Sequence, residues 1–203
     1  MNRRALLRAT LLLALPGGAW ADALDDRLRD VGAARAKLKT LIGPFTQERT
    51  IGLLASKVVS TGKLALVTPD RLLWELDAPD SVSYWMGPEG LAYKGKQGQG
   101  RLPASSKIAP ALDDLRTLLA GDLGSLRARY EMKDVTSGKG FAFEAIPKKK
   151  EARFQKIVLE LALDLTRPKH VTLVESPRDK TEIAFGDLTM NASVDAARIR
   201  PPF

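Results

Sequence analysis

The stretch that decides the fold runs from Phe45 to Pro79, FTQERTIGLLASKVVSTGKLALVTPDRLLWELDAP. Lys63-Leu64-Ala65-Leu66 alternates apolar and polar, and Arg71 to Leu76, carrying Trp74, does so again; both read as half-buried strands. Thr68-Pro69-Asp70 between them is a turn by composition, and a second proline, Pro79, closes the stretch. Such an order opens an antiparallel meander. Upstream, Leu24, Leu28, Val31, Leu38 and Ile42 recur at three-, four- and seven-residue steps from Asp22 to about Ile42. That periodicity predicts an amphipathic helix with Asp22, Asp25 and Asp26 at its positive end and Gly43-Pro44 as its stop. A helix with one apolar stripe needs a surface to bury it on, and the meander supplies one.

Downstream the strand signals continue. Val82, Tyr84 and Met86 form the next strand, Gly87-Pro88-Glu89-Gly90 a turn, and Leu91-Ala92-Tyr93 the return. Gly95 to Gly100 reads as a loop or a broken strand. Between Pro103 and Gly121 the period changes: Ile108, Leu112, Leu115, Leu118 and Leu119 space helically, with Pro110 in the first turn, and Leu123 to Arg127 allows a second short helix. Strands are then expected over 130–135, 140–146, 154–165, 170–175 and 181–188. The predicted class is mainly β with helices (α+β): an incomplete antiparallel β-barrel or strongly curved sheet, covered by the N-terminal helix and the middle helical segment.

Composition narrows the function. A chain of 203 residues, 44% hydrophobic, suits one domain with a sizeable core, and the absence of cysteine excludes disulfides, thiolate nucleophiles and Cys-based metal sites. Arg3-Arg4 leads into the apolar run Ala9 to Leu15 and then Ala19-Trp20-Ala21, the pattern of a signal peptide over residues 1–21 with an A-x-A cleavage site. The run is too short to span a bilayer, so residues 22–203 are expected as a single exported domain, delivered to the periplasm by the Sec or the twin-arginine route. Removing Arg3, Arg4 and Arg8 lowers the net charge of +8 to +5, and the remaining charges are spread widely, with Arg and Lys mixed among Asp and Glu. That pattern fits a solvated surface or mild attraction to anionic lipid or an acidic partner; with aromatics at 6%, nucleic acid is not indicated.

Candidate chemistry is sparse. Gly90-Leu91-Ala92-Tyr93-Lys94-Gly95-Lys96-Gln97 approaches a phosphate-binding loop, but Gln97 stands where a Ser or Thr hydroxyl must hold Mg²⁺, and Leu91-Ala92-Tyr93 reads as strand. His170 is the only histidine, no Gly-x-Ser-x-Gly elbow presents a nucleophile, and no further zinc ligands accompany it. Asp25-Asp26 and Asp113-Asp114 fit solvated helix faces, and Lys148-Lys149-Lys150 a soluble turn that discourages edge pairing. No enzymatic activity, cofactor or metal is therefore expected.

Phe45-Thr46-Gln47, Ser60-x-Gly62 and Pro69-x-x-Leu72-x-Trp74, in that order and spacing, resemble the LolA family of periplasmic lipoprotein carriers. Gly90-Leu91-x-Tyr93, Leu118-Leu119-Ala120-Gly121, Phe143-x-x-x-Pro147, Ile157-x-Leu159 and Phe185-x-x-x-x-x-Asn191 continue the resemblance through the chain. It implies an incomplete barrel whose helices cover a hydrophobic cavity for acyl chains. The lining candidates are then Leu64, Leu66, Leu72, Trp74, Val82 and Tyr84, with Met86, Leu91, Tyr93, Phe141 and Phe143. From the residues alone a packed core is the default reading, because small barrels fill with side chains. Thr68, Pro69, Leu115, Leu118 and Leu119 are the lid and rim candidates. The implied role is transfer of lipidated proteins from the inner to the outer membrane as a monomer, with a lipoprotein-release ABC transporter and an outer-membrane acceptor as partners. A LolA-like periplasmic sensor or accessory factor for another lipid or glycolipid is the alternative. Two departures stand out: the family reads Arg-Phe-Arg-Trp where this chain has Arg71-Leu72-Leu73-Trp74, and it places a helix-tying arginine where this chain has Thr68.

Overall fold

A computed structural model describes residues 19–54, 56–103, 106, 109–149 and 152–203. Residues 1–18 of the expected signal segment, Ile108 of the middle apolar stripe and Lys150 of the lysine run lie outside the described residues. Among the described residues, helix α1 (Ala19–Arg35) leads into β1 (Thr40–Ile51) and β2 (Ser56–Val67), joined by a single 3₁₀ turn at Gly52–Leu54. Then come β3 (Arg71–Leu76), β4 (Val82–Gly87), β5 (Gly90–Gly95) and β6 (Gly98–Leu102). Helices α2 (Ala109–Ala120) and α3 (Leu123–Arg129) interrupt the strands, which resume as β7 (Tyr130–Asp134), β8 (Phe141–Pro147), β9 (Lys156–Leu161), β10 (Pro168–Val174), β11 (Lys180–Phe185) and β12 (Thr189–Met190).

All twelve strands among the described residues belong to one antiparallel sheet in the order β6-β5-β4-β3-β2-β1-β11-β10-β9-β8-β7, with β12 pairing β1 beside β11. The sheet does not close, and β6 and β7 are its free edges. The fold is thus an open, curved antiparallel sheet with three helices among the described residues, the α+β class read from the sequence. In the same residues no helix is long and apolar enough to cross a membrane.

One cross-strand pair organises the centre. Phe45 in β1 lies opposite Gly62 in β2, and a Cβ on Gly62 would stand 2.2 Å from the Glu75 carbonyl oxygen and 2.5 Å from Phe45 Cζ. Glycine is therefore what lets the Phe45 ring cross the strand and stack on Trp74 of β3, with ring centroids 3.8 Å apart and planes 26° from parallel. Phe185, opposite Phe45 on its other side, meets Trp74 edge-on at 6.3 Å. The Phe-Thr-Gln, Ser-x-Gly and Leu-x-Trp motifs are thus one aromatic contact spread over three strands.

Several boundaries differ from the sequence reading. The first helix ends at Arg35, so Leu38 sits in the turn and Ile42 in β1, and Gly43-Pro44 lies inside a strand instead of stopping a helix. The proline is tolerated because the Pro44 carbonyl accepts from Gly186 N (3.0 Å), where the chain leaves β11 before starting β12. The donor that Pro44 lacks would face that same break in the ladder. Gly98–Leu102 resolves the loop-or-strand alternative as strand β6. The strand expected over 154–165 shortens to β9, ending before a turn with Leu165 at φ 58°, and the one expected over 181–188 shortens to β11, ending at Phe185, with a separate β12 beyond it.

β2 and β3 are more deeply covered than the half-buried strands expected. Leu72, Leu73 and Trp74 are all buried, as are Leu64, Ala65 and Leu66. The outer face of these strands carries its own cluster of Ala65, Leu73, Trp85 and Ala92, covered by Ile199 of the C-terminal segment. Trp85 Nε1 donates to the Arg198 carbonyl (2.9 Å), and Arg198 pairs with Glu75. An arginine at position 73 would be buried here.

Gly62→Ala is expected to lower unfolding free energy by about 1–3 kcal/mol, because the new methyl has backbone oxygen in its way. Urea denaturation should show a lower midpoint at unchanged slope; a midpoint equal to wild type would contradict the packing described.

Candidate functional site

The register sets one face of the sheet against the helices. Leu64 pairs with Trp74 and Leu66 with Leu72; Trp74 pairs with Tyr84 and Leu72 with Met86; Tyr84 pairs with Tyr93 and Met86 with Leu91. Val82 follows opposite Leu76, and Phe141 and Phe143 join the same face through Leu161 and Leu159. All eleven lining candidates therefore share the concave face, since side chains alternate strictly along a strand. Their surroundings differ. Leu64, Leu66, Leu72, Phe141 and Phe143 are fully buried in side-chain packing, whereas Val82, Tyr84 and Tyr93, towards the β6 edge, are half-buried.

The helices fill most of this concavity. Leu115, Leu118 and Leu119 of α2 and Leu123 and Leu126 of α3 are buried in the same cluster as the sheet residues, with Leu24 and Val31 of α1. Two spaces lie between α2 and the sheet. One, of about 170 Å³, is bounded by Trp74, Leu76 and Tyr84 of the sheet, Leu112 and Leu115 of α2, and Phe154, Leu173 and Ile183. Gln47, Arg49, Arg153 and Thr181 complete it, so an apolar interior meets two guanidinium groups. The other, of about 400 Å³, lies between the start of α2 (Ala109, Pro110, Asp113) and Met86, Leu91 and Leu102. Of the lining candidates, Trp74 and Tyr84 border the first space and Met86 and Leu91 the second; the remaining seven border neither.

Beside this packing, polar ties fix where the helices sit. Arg35, at the last turn of α1 and only 4% exposed, donates from Nη1 to the carbonyls of Leu118 (2.9 Å) and Leu119 (3.2 Å), and from Nε to that of Leu165 (3.3 Å). The Leu118 and Leu119 carbonyls belong to the end of α2, where the helix leaves acceptors unserved and attracts a cation. Burial lowers the Arg35 pKa to about 10, against the opposing pull of Asp164, so the guanidinium stays charged at neutral pH. Arg116 of α2 donates from Nη1 to the Pro69 carbonyl (3.2 Å) and is steadied by Asp113 (2.7 Å). Asp25 of α1 pairs with Arg127 of α3.

The fourth tie joins α2 to the start of β7. The Tyr130 hydroxyl donates to Asp114, which also faces Arg129 Nη1 at 2.5 Å. Burial pushes the Asp114 pKa up, and the hydrogen bond from Tyr130 and the charge of Arg129 only partly offset it. The Tyr130 hydroxyl is itself held well above the ordinary phenol value, by burial first and by Asp114 second.

The rim candidates can now be located. Thr68 is half-buried, its hydroxyl donating to the Leu38 carbonyl (2.7 Å), and Pro69 is exposed. Both border a space of about 240 Å³ together with Arg35, Arg116 and Thr117. Thr68 thus ties the α1–β1 corner, while helix-tying arginines come from the helices themselves, Arg35 and Arg116. Sequence reasoning missed both. Arg35 offered one weak signal, a cation in the last turn of a helix; Arg116 offered none.

The other candidates fall elsewhere. Gly90–Gly95 is strand β5, paired on both sides, so its backbone amides cannot wrap a phosphate. His170 lies exposed within β10 on the outer face, opposite Glu160 and Ala184. Asp113 is exposed and pairs with Arg116, while Asp114 is buried, unlike the solvated face expected for both. Lys148 Nζ donates to the Arg127 carbonyl (2.9 Å) and so caps the end of α3. Among the described residues no group of three or more His, Asp or Glu is placed to hold a metal ion.

Two expected outcomes follow from the ties. Arg35→Met removes the guanidinium donor from the Leu119 carbonyl and leaves the Leu118 carbonyl with Gly121 N alone (3.2 Å), at a cost of about 1–3 kcal/mol, and should raise amide exchange over 115–121 before exchange in the sheet changes; uniform acceleration would contradict a local tie. Asp114 holds its proton more tightly folded than unfolded, so its contribution to stability falls as pH climbs from the ordinary carboxylate range, about 4, through its raised value. The unfolding free energy of wild type minus that of Asp114→Asn should therefore decline as pH rises in that window; an increase would contradict the burial-driven shift.

The comparisons agree with this geometry. The family model described as Outer membrane lipoprotein carrier protein LolA matches residues 103–200. No curated protein matches the chain at a significant level. A DUF1329 family protein from Desulfovibrio piger superposes with TM-score 0.57 at 13% identity, covering 89% of this chain and 97% of that one. An uncharacterized conserved protein from Thermus thermophilus does so with TM-score 0.55 at 7% identity, covering 89% and 94%. The MucA/MucB complex of Pseudomonas aeruginosa gives 0.53 at 14%, covering 88% of this chain and 61% of that one. At these identities the structural likeness is one of fold alone. The matched segment begins at Pro103 and runs through both later helices and the second half of the sheet, so over these residues the chain is similar to the LolA family.

Proposed function

We propose that the protein is a periplasmic carrier that holds acyl chains of lipoproteins between α2 and the concave sheet and passes them from inner to outer membrane. The observation that supports this most is the way the lid is attached: leucine-lined helices lie on an apolar face, with few polar ties between them and the rim. Breaking such ties bares apolar surface without breaking the sheet. An acyl chain would replace the leucines, each CH₂ contributing about 0.8 kcal/mol when removed from water. The space of about 170 Å³ between Leu112, Leu115 and Trp74 is below the usual size of a ligand pocket, so loading requires α2 to move outward. In this reading residues 1–21 are the export signal, 22–203 the carrier domain, Leu115, Leu118 and Leu119 the lid, and the partners an inner-membrane lipoprotein-release ABC transporter and an outer-membrane acceptor.

A second reading keeps the site and changes the cargo, making the protein a LolA-like periplasmic sensor or accessory factor for another lipid or glycolipid. It draws on Arg49 and Arg153 beside the apolar space, which suit an anionic head on an acyl tail, and on Thr68 in place of the family's arginine.

Mass spectrometry of protein purified from its native periplasm should detect acylated cargo, lipoprotein under the first reading and free lipid or glycolipid under the second. Leu112→Trp, which fills about two methylenes' worth of the space, should weaken binding of a fluorescent fatty-acid probe by about tenfold. Protein that carries no acylated molecule and binds no probe would overturn both.

A further inference from the structure

The hairpin joining β1 to β2 ends in a feature that the acyl-binding site does not use. Leu53, in the middle of the 3₁₀ turn Gly52–Leu54, is 93% exposed, more than any other large apolar side chain among the described residues. Nothing in its own hairpin covers it, and the tip is not free to fold it inward. The Gly52 amide donates to Asp179 Oδ1 (3.0 Å) in the β10–β11 turn, and a Cβ on Gly52 would come within 2.2 Å of Arg178 Cβ. Two turns are thus braced against each other with a leucine held out in water.

The surroundings carry positive charge. Arg49 and Arg178 are exposed and neither is ion-paired among the described residues, while Lys57 pairs with Glu48 at 2.6 Å. Arg49 also borders the space between α2 and the sheet, which sets the tip at the same end of the molecule as that opening. An apolar tip beside unpaired cations matches the chemistry of an anionic bilayer surface: a side chain for the acyl boundary and guanidinium groups for the phosphates. A protein surface would more often meet a leucine with a pocket and leave these cations to find carboxylates; here Asp179 is already taken up by Gly52 and Ser176.

We propose that the β1–β2 tip is a membrane-docking element that inserts Leu53 into the interface of an anionic bilayer, with Arg49 and Arg178 at headgroup level. Docking brings the opening beside Arg49 to the lipid surface, and that use of it rests on the acyl-binding reading; the docking itself does not.

The test is co-sedimentation of the full mature chain with vesicles of phosphatidylglycerol and phosphatidylethanolamine, against vesicles of phosphatidylcholine. Binding to the anionic vesicles is expected and should weaken with added salt. Leu53→Glu should reduce it by about tenfold and Arg178→Gln by about fivefold. The chain has no cysteine, so Leu53→Cys takes a single environment-sensitive label, whose emission should shift to the blue on anionic vesicles only. Vesicle binding that is absent in wild type, or equal in Leu53→Glu, overturns the docking element, as does a label that shifts only when membrane protein is supplied. Fatty-acid probe binding in solution should be untouched by Leu53→Glu. Probe binding that persists while vesicle binding fails removes the docking alone; probe binding that fails in wild type removes the acyl-binding reading alone.

Discussion

Phe45 stacked on Trp74 across a glycine is the contact on which the rest depends. It ties three neighbouring strands, β1 to β3, and through Phe185 a fourth, β11, at the middle of the sheet, where the N-terminal and C-terminal halves of the chain meet. Among the described strands β1 alone pairs with both halves. A methyl group at position 62 would lift the ring off the sheet and remove the flat apolar floor beneath α2. The glycine costs some strand stability by itself, and the aromatic ring laid over it restores the lost packing.

On that floor the helices are held by two kinds of force with different reach. Leucine packing is strong and indifferent to direction, so it keeps α2 against the sheet without choosing its position. Arg35, Arg116 and the Asp114–Tyr130 pair are directional and choose it. A buried arginine serving helix-end carbonyls is a demanding arrangement, since its charge is desolvated and its partners are backbone groups that cannot follow it elsewhere. Placing that demand on the helices instead of the sheet means that the helices are where the fold is easiest to undo.

The sequence made the concave face legible because strand register is a parity rule. With Leu64 and Trp74 inward, Leu66, Leu72, Tyr84 and Met86 have no other choice. The outer cluster was not legible, because Leu73 and Trp85 are covered by Ile199, far along the chain, and local pattern carries no information about such cover. Gly43-Pro44 misled for a related reason: the break in β11–β12 that excuses the proline lies at the far end of the chain. The ties were hidden most deeply. Arg35 and its acceptor Leu118 are 83 residues apart, and a backbone carbonyl leaves no mark in a sequence.

The sheet's failure to close bears on how wide the molecule can become. In a closed barrel, strand number and stagger set the radius, and the interior cannot swell without tearing hydrogen bonds. Here β6 and β7 are free margins with no ladder between them. The two wings, β2 to β6 on one side and β11 to β7 on the other, join at β1 like the covers of a book at its spine. The gauge of the interior is therefore set by the helices packed between the wings, and no ladder bond fixes the distance between the two margins.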